Sequence, residues 1–296
     1  MTTTLIIGTR GSPLALAQTT LIQSLLRRAH PGLSVETKII KTSGDLFGDL
    51  SLVKGGGKEL FTKEIEDQLL AGEIHLAVHS LKDLPTVLPE GLCLGATPRR
   101  EDARDVFIAK RATKISELPA GARVATSSIR RKAQLLARRP DLKIEEMRGN
   151  VGTRLRKLAE TDGLEALILA AAGLKRLGLY EERWPMLDTT EMIPAVGQGI
   201  IGIEIRSADE MTRKLLGAIN DSSAFVCAEA ERAFLHAAGG GCQLPYAGHA
   251  TVAGNALRLV AAKFSDDGSR VWKAEVTGPV SAARQLGEEA ARKISA

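Results

Sequence analysis

A cysteine within a run of glycines is the residue of this chain that stands out chemically. Cys242 lies in the sequence GGGCQLP, residues 239–245, just after a segment whose composition predicts a helix. Free cysteines are usually buried, whereas glycines leave a thiol unshielded and allow backbone angles that other residues avoid. The run is therefore consistent with a thiol that has a function. The alternative is an exposed loop cysteine that has none.

Three segments combine small or hydroxyl residues with arginine where a strand gives way to a helix. They are TRGS at 9–12, TSSIRR at 126–131 and RGNVGTR at 148–154. A helix N-terminus offers unpaired N–H groups and the positive end of its dipole, so anions bind there, and an arginine fork matches a carboxylate or phosphate. At any one segment the serine or asparagine could be only a helix cap. Together with Arg176, Lys54 and Lys58, the three segments favour a receptor for several negative groups.

One carboxylate, Asp83, is expected among these cations. It belongs to HSLKDLP, residues 79–85, which follows a predicted strand, and the carboxyl ends of strands share one edge of an α/β sheet. A negative group would weaken anion binding, so its presence makes sense if a reaction develops positive charge that must be stabilised. The alternatives are a turn-forming aspartate or an ion pair with Lys82. His79 is interpreted as a packed residue.

Composition limits the class of protein. The 296 residues predict two or three domains, and their cores must be aliphatic because the chain has only two Trp, two Tyr and six Phe. A net charge of +5 suits small polyanions, while the scarcity of aromatic side chains argues against nucleic acid. No apolar run is long enough to span a bilayer, and the first residues predict a strand rather than a signal peptide. Three cysteines without CxxC spacing indicate neither a disulfide framework nor a zinc site, so we expect a cytoplasmic protein.

The chain alternates strand and helix patterns over most of its length. Strands are predicted at 5–7, 35–40, 74–79, 92–96, 106–109, 123–126, 142–146, 167–170 and 200–205. Helices are predicted after Ser12-Pro13 and at 59–71, 130–139, 151–160 and 210–218. The last third predicts a small α+β unit made of a helix, two strands and a helix, at 222–238, 257–264, 271–276 and 281–294.

Two glycine-rich motifs are rejected as nucleotide sites. GQGIIG at 197–202 matches the dinucleotide fingerprint, but residues 200–205 alternate like a strand where that fingerprint needs a helix. KGGGK at 54–58 resembles a phosphate loop but lacks the Walker spacing and the serine or threonine that follows the lysine.

The ordered set of motifs resembles the porphobilinogen deaminase family. The matching segments are GTRGSPLA at 8–15, HSLKDLP at 79–85, TSSIRR at 126–131, RGN at 148–150, AGLKRLG at 172–178, VGQG at 196–199 and GGC at 240–242. The last fifty residues match only in character, and Tyr246 is bulkier than the small aliphatic residue expected there. The resemblance implies an enzyme that joins four porphobilinogen molecules head to tail with loss of ammonia and then releases a linear tetrapyrrole by hydrolysis.

The resemblance also implies an architecture and a cofactor. We expect an α/β fold, with two domains like those of periplasmic anion-binding proteins and a small α+β C-terminal domain. The expected domains are residues 1–98 with 199–217, residues 99–198, and residues 218–296. A dipyrromethane cofactor would be attached to Cys242 through a thioether. We expect a monomer that binds no metal, nucleic acid or membrane.

The family's functional residues are carried over by position. Asp83 corresponds to the catalytic acid and Cys242 to the covalent anchor of the cofactor. The expected cofactor contacts are Ser80, Lys82, Asp83, Thr126, Ser128, Arg130, Arg131, Arg148 and Gly149. The expected substrate contacts are Arg10, Ser12, Gln18, Lys54, Lys58, Arg148, Arg154, Arg176 and Gln198. The main rival interpretation is a non-catalytic anion-binding module, which needs neither Asp83 nor Cys242.

Overall fold

The computed structural model describes residues 4–47, 58–239 and 244–295. The chain forms two compact units. Unit 1 comprises Met1–Glu101 and Ile200–Ala228, and unit 2 comprises Asp102–Gly199 and Glu229–Ala296. The chain therefore leaves unit 1 after Glu101, returns to it at Ile200 and leaves it again after Ala228. The division into three domains that the family implies stays a prediction.

The described residues form both strands and helices. The strands are β1 (Thr4–Thr9), β2 (Ser34–Ile39), β3 (Leu76–Ser80), β4 (Leu92–Ala96), β5 (Asp105–Ala109), β6 (Arg123–Ala125), β7 (Lys143–Glu145), β8 (Leu164–Ala170), β9 (Ile201–Arg206), β10 (Tyr246–Ala253), β11 (Ala256–Phe264) and β12 (Val271–Pro279). The helices are α1 (Pro13–Ala29), α2 (Ser43–Phe47), α3 (Lys63–Leu70), α4 (Ile129–Arg138), α5 (Val151–Glu160), α6 (Ala171–Arg176), α7 (Glu210–Gly217), α8 (Ser222–Ala237) and α9 (Ala283–Ser295).

Unit 1 is built on a five-stranded sheet in the order β2-β1-β3-β9-β4. Strands β1, β2 and β3 are parallel, whereas β9 runs antiparallel to its neighbours β3 and β4. Aliphatic side chains of the sheet and of α1 form one core cluster, which includes Leu5, Ile7, Ile22, Leu26, Leu76, Val78, Ile203 and Ile205. Helix α1 begins as predicted, because Ser12 Oγ accepts the N–H of Ala15 at 3.3 Å and proline takes the first helical position.

The helix predicted at 59–71 is wrong in its first turn. Residues Lys58–Phe61 form a 3₁₀ turn, and α3 begins only at Lys63. Thr62 separates the two because its backbone, with φ −120° and ψ −31°, is not helical, while its carbonyl accepts two N–H groups of the first turn of α3. A residue that starts a helix in this way cannot also continue the one before it.

Unit 2 contains a four-stranded sheet in the order β5-β8-β6-β7. Strand β6 is parallel to β7 and β8, and β5 is antiparallel to β8. The carboxyl ends of β6 and β7 lead into α4 and α5, so these two helix starts lie at the same edge of the sheet. The chain passes between the units three times. Strands β5 and β9 are the first strands after the first and second passages, and each runs antiparallel to its neighbours in its own sheet.

A second correction concerns the C-terminal segment, which has three strands where the sequence predicts two. The antiparallel order is β10-β11-β12. Strand β10 pairs with β11 from Tyr246 opposite Lys263 to Ala253 opposite Ala256. Its sequence, YAGHATVA, is rich in alanine and glycine, which have weak strand propensity. Gly254-Asn255 between the strands is a two-residue hairpin signal that could have revealed it.

The expected fold class is confirmed by two α/β sheets and a smaller antiparallel sheet that packs against α9. In the part of the chain that the structure describes, no helix combines the length and apolar character needed to cross a bilayer. Among those same residues, no group of three or more His, Cys, Asp or Glu side chains is arranged to bind a metal ion.

Candidate active site

Asp83 lies at the end of a 3₁₀ turn, Leu81–Asp83, that directly follows β3. Leu81 and Leu84 are buried on either side of it, and the N–H of Leu81 donates to the carbonyl of Ile200 at 3.0 Å. The two leucines hold the turn in the core of unit 1, while the Asp83 side chain is exposed. The neighbouring Lys82 is half-buried. A carboxylate presented from a fixed turn can act on a bound ligand without being part of the core.

Unit 1 brings two of the predicted substrate and cofactor residues into contact. Gln18 of α1 is buried, and its Nε2 donates to Ser80 Oγ at the end of β3 over 2.9 Å. Ser12 caps the same helix with its hydroxyl. The start of α1 and the end of β3 therefore meet at one edge of the sheet, as the strand directions predict.

Arg10 follows β1 and has a partner that sequence reasoning missed. Its guanidinium forms an ion pair with Asp45, with 3.3 Å between Nε and Oδ2, and lies 4.4 Å from the centre of the Phe61 ring. Burial raises the pKa of Asp45, but the Arg10 guanidinium and the Thr42 hydroxyl outweigh that effect and leave the pKa below its ordinary value. Asp45 is far from Arg10 in sequence, so no local pattern indicates the pair.

In unit 2 the loops before α4 and α5 are bonded to each other. Ser127 Oγ donates to the Met147 carbonyl at 2.8 Å and accepts the Met147 N–H at 3.1 Å. Ser128 caps α4 by accepting the N–H of Arg131 at 3.4 Å, and the buried Thr126 hydroxyl accepts the N–H of Ser128 at 3.1 Å. Two helix N-termini thus lie side by side, each with its positive dipole end at the same edge.

The start of α5 depends on one glycine. Gly149 has φ +117°, and a Cβ there would lie 2.9 Å from Thr153 Cγ2. Asn150 caps the helix by accepting the N–H of Thr153 at 2.8 Å. Arg154 Nε donates to the Gly149 carbonyl at 2.8 Å, and Arg148 lies 3.4 Å from a carboxylate oxygen of Glu146. The backbone turn that only glycine adopts easily therefore sets both arginines beside the helix start.

Arg130, Arg131 and Gln198 converge on Asp105, a second partner that sequence reasoning missed. Asp105 is fully buried at the start of β5 and pairs with both guanidinium groups at 2.7 Å. Gln198 Nε2 donates to the same carboxylate at 3.0 Å. The sequence expects these three side chains to face a ligand, whereas the structure gives each of them a buried protein carboxylate as a partner. Their contact with the cofactor or substrate stays a prediction.

The remaining predicted residues divide into described and undescribed ones. Arg176 ends α6 and donates to the Gly199 carbonyl at 2.7 Å. Lys58 opens the 3₁₀ turn before α3, but its side chain lies outside the described part. Lys54 and Cys242 lie outside the described residues altogether.

The residues that flank the Cys242 segment are bonded across it. Tyr246 is buried at the start of β10, and its hydroxyl donates to the carbonyl of Ala238 at 3.0 Å. Its ring meets Phe234 of α8 edge-on, with 6.1 Å between ring centres. The bulky residue that departs from the family pattern therefore joins the strand after the cysteine to the end of the helix before it.

His79 is buried, as the sequence predicts for a packed residue, but it belongs to a cluster of ionisable groups. Its Nε2 lies 3.0 Å from an oxygen of Glu204 on β9, and both side chains are almost fully buried. Glu66 of α3 is buried nearby, and burial together with the Glu204 charge raises its pKa. No sequence motif indicated Glu66 or Glu204.

Comparison with known proteins places the chain in a family. The model of "Porphobilinogen deaminase, dipyromethane cofactor binding domain" matches residues 5–214, and that of "Porphobilinogen deaminase, C-terminal domain" matches residues 225–296. A porphobilinogen deaminase of Lysinibacillus sphaericus is 51% identical over 97% of this chain and 92% of its own length. One from Syntrophobacter fumaroxidans is 46% identical over 97% of this chain and 93% of its own length.

Solved structures of binding proteins also match, with lower similarity. The aliphatic sulphonate binding protein SsuA from Escherichia coli matches with a TM-score of 0.42 at 13% identity, covering 80% of this chain and 70% of its own. The methionine binding protein MetQ has a TM-score of 0.47 at 13% identity, covering 75% and 92%. Because the two family models together span nearly the whole sequence and the relatives are about half identical throughout, this chain belongs to the porphobilinogen deaminase family, transferases that carry a dipyrromethane cofactor and act on porphobilinogen.

Proposed function

We propose that this chain condenses four porphobilinogen molecules, one at a time, onto a dipyrromethane primer bonded to Cys242, and then releases the linear tetrapyrrole by hydrolysis. The observation that carries the proposal is the pair of helix starts in unit 2, joined by Ser127 and flanked by arginines. Each porphobilinogen carries an acetate and a propionate, so a growing chain gains two negative charges per unit. A site for such a chain needs many cationic groups on fixed backbone.

The donors present in unit 2 fit a dipyrromethane. The group bears acidic side chains, and the α4 and α5 starts offer backbone N–H groups, hydroxyls and guanidinium groups in one region of the unit. The side chains that would hold its carboxylates are Ser128, Arg130, Arg131 and Arg148, with Thr126 and Gly149 shaping the backbone around them. When bound, the dipyrromethane supplies the pyrrole carbon onto which the first substrate is added.

We assign the remaining roles to residues of unit 1 and to Arg148, Arg154, Arg176 and Gln198 of unit 2. The residues that would bind substrate carboxylates are Arg10, Ser12, Gln18, Lys54, Lys58, Arg148, Arg154, Arg176 and Gln198. Lys82 and Ser80 would add contacts beside Asp83. As ammonia leaves the aminomethyl group of a bound porphobilinogen, positive charge develops on the pyrrole ring and its N–H becomes acidic. The exposed Asp83 carboxylate would stabilise that charge and then accept the proton.

Cys242 would act once in the life of the protein. Its sulfur forms a bond to the methylene carbon of a pyrrole, ammonia leaves from that carbon, and the thiol proton leaves with it. A free thiol has a pKa of about 8.5, and neighbouring cations lower it. The resulting thioether is stable, as a permanent anchor must be. Cys93 and Cys227 are a half-buried and a buried thiol, which supports Cys242 as the anchor.

We also propose that the protein acts in the cytoplasm as a monomer, without nucleic acid or a membrane. The odd number of cysteines and the absence of CxxC spacing in the sequence support a reducing compartment. The few aromatic side chains give little surface on which bases could stack.

Mass spectrometry of the intact protein tests the proposal. We expect a mass above that of the sequence by one dipyrromethane, its loss in Cys242→Ala, and its retention in the control Cys93→Ala. Asp83→Asn should keep the adduct but lose turnover by roughly 10²–10⁴-fold, the scale of general acid–base catalysis. An active protein with no adduct would exclude the primer role, and normal turnover in Asp83→Asn would exclude the charge-stabilising role. A mass equal to the sequence with carboxylate binding but no turnover would favour a binding module.

A further inference from the structure

We propose that Asp105 is a positioning residue for the cofactor site, because it holds the guanidinium groups of Arg130 and Arg131 where α4 begins. The inference rests on the proposed function, since it assigns to Asp105 an effect on cofactor attachment. No motif of the sequence analysis includes this residue. Its contacts, its surroundings and its charge carry the inference.

The contacts of Asp105 gather residues from separate elements. Its Oδ2 accepts Arg130 NH2 at 2.7 Å, and its Oδ1 accepts Arg131 Nε and NH2 at 3.2 and 2.7 Å. Gln198 Nε2 donates to Oδ1 at 3.0 Å and to the Ala103 carbonyl at 2.7 Å. One carboxylate on β5 therefore joins the first turn of α4 to the segment that precedes β9.

Backbone carbonyls complete the enclosure of both guanidinium groups. Arg130 donates to the Ile193 carbonyl at 2.6 Å, and Arg131 donates to the Ile168 carbonyl of β8 at 3.0 Å. The arginine side chains are 5% and 7% exposed, and the Asp105 side chain is fully buried. Because each planar fork is held by acceptors on two sides, Asp105 and these carbonyls determine its orientation.

The cluster formed by Asp105, Arg130 and Arg131 has a net positive charge. Burial raises the pKa of Asp105, but the charges of Arg130 and Arg131 outweigh that effect and hold the pKa far below its ordinary value, so the carboxylate is ionised at neutral pH. Two guanidinium groups and one carboxylate leave a surplus of one. That surplus lies at the N-terminus of α4, where the helix dipole is also positive. An acidic side chain of a ligand is the group that it attracts.

Loss of the Asp105 charge would change both the orientation of the two guanidinium groups and the net charge of the cluster. Asp105→Asn keeps the size of the side chain but leaves two buried cations without a counter-charge, and like charges in a buried pocket repel. We expect the guanidinium groups to turn away and the start of α4 to shift. A misplacement of about 1 Å can cost roughly a hundredfold in rate. Attachment of the primer should slow accordingly.

The experiment measures primer attachment to the full-length apoprotein, produced in cells that make no porphobilinogen. Porphobilinogen is added, and intact mass spectrometry follows the gain of the dipyrrole mass with time. The variants are Asp105→Asn, Asp105→Glu and the matched control Asp141→Asn, which loses an exposed Asp–Arg pair with Arg139 just beyond α4. Thermal unfolding of each variant identifies a temperature at which all of them are folded. The attachment rates are compared at that temperature.

We expect attachment to slow by roughly ten- to a hundredfold in Asp105→Asn. It should slow by a smaller factor in Asp105→Glu, which keeps the charge but displaces it, and stay unchanged in Asp141→Asn. A folded Asp105 variant that attaches the primer at the wild-type rate would overturn the proposal, because a merely structural carboxylate alters unfolding but not the rate of the folded protein. If Asp105→Asn does not fold, Asp105→Glu decides by the same criterion. Wild-type protein that gains no dipyrrole mass would instead refute the proposed function.

Discussion

Asp105 and Glu66 are both buried carboxyl groups, and their neighbours move their pKa values in opposite directions. Burial raises the pKa of each. At Asp105 the guanidinium groups of Arg130 and Arg131 outweigh burial, so the carboxylate is ionised. At Glu66 the neighbouring charge is Glu204, which adds to burial and favours the protonated form. One residue therefore stabilises a cationic cluster, while the other costs stability when it ionises.

We predict that Glu66→Gln stabilises the protein at neutral pH and has no such effect in acid. The pKa of Glu66 is raised in the folded state, so its favourable contribution is present below the ordinary pKa and is lost as pH rises through the folded value. Glu204 and His79 face it from β9 and β3, and Thr62 and Asp67 from around α3. Urea unfolding from pH 4 to pH 8 measures the effect.

The control for this prediction is Glu36→Gln on β2, where the side chain is exposed. It should leave the free energy of unfolding nearly unchanged at every pH. A Glu66→Gln protein that is less stable than wild type at pH 8 would show that the ionised carboxylate is stabilised by its surroundings.

The sequence predicts the motifs of the site, but it does not predict the carboxylates that pair with the arginines of those motifs. Adjacent residues predict Ser12 and Ser128 as possible caps, and both cap helices. No local pattern indicates Asp45 or Asp105, because they pair with arginines many residues away and only the fold brings them together. A pattern of neighbouring residues carries no information on such pairs.

Among the elements, β10 shows what local propensity cannot indicate. Its alanines and glycine have low strand propensity, yet all eight residues pair with β11. The sheet supplies the hydrogen bonds and burial that the residues do not favour by themselves. The periodic pattern of α5 predicts a helix at 151–160, and the structure has the same bounds.

Tyr246 at the start of β10 gives a prediction on the stability of this element. Tyr246→Phe keeps the edge contact with Phe234 but removes the hydrogen bond to Ala238, which should cost about 1 kcal/mol of unfolding free energy. Tyr180→Phe is the matched control, because its hydroxyl lies 3.3 Å from the Trp184 carbonyl and its bond is longer. The free energies of unfolding are measured in urea. Equal losses in both variants would mean that the Tyr246–Ala238 hydrogen bond stabilises the protein no more than the longer Tyr180–Trp184 bond does.

At the scale of the molecule, the C-terminal sheet packs against α4 within unit 2 through a close backbone contact. Gly268, between β11 and β12, approaches α4 so closely that a Cβ there would lie 2.4 Å from the Ala133 carbonyl oxygen. Ala133 also belongs to a core cluster with Ala247, Ala262 and Phe264 of the small sheet. The helix that carries Arg130 and Arg131 is therefore packed between the α/β sheet and the C-terminal strands.

We predict that Gly268→Ala destabilises the protein more than Gly254→Ala does. Both glycines have positive φ, +73° and +58°, so both substitutions pay a backbone cost of about 1–2 kcal/mol. Of these two glycines, Gly268 alone has atoms within 4 Å of a new Cβ, which adds an overpacking cost of about 1–3 kcal/mol. Thermal and urea unfolding measure the difference. Equal losses would contradict the close approach to α4.

The position of β9 also has a consequence for synthesis of the protein. In the sheet of unit 1, β9 lies between β3 and β4, and among the described strands β4 pairs with β9 alone. Translation at about 5–20 residues per second means that β9 follows β4 out of the ribosome roughly 5–20 s later. During that interval the nascent chain exposes the unpaired edge of β3 and a hydrophobic strand, which are features that chaperones bind. Unit 1 of this enzyme therefore cannot finish folding until most of the chain has been made.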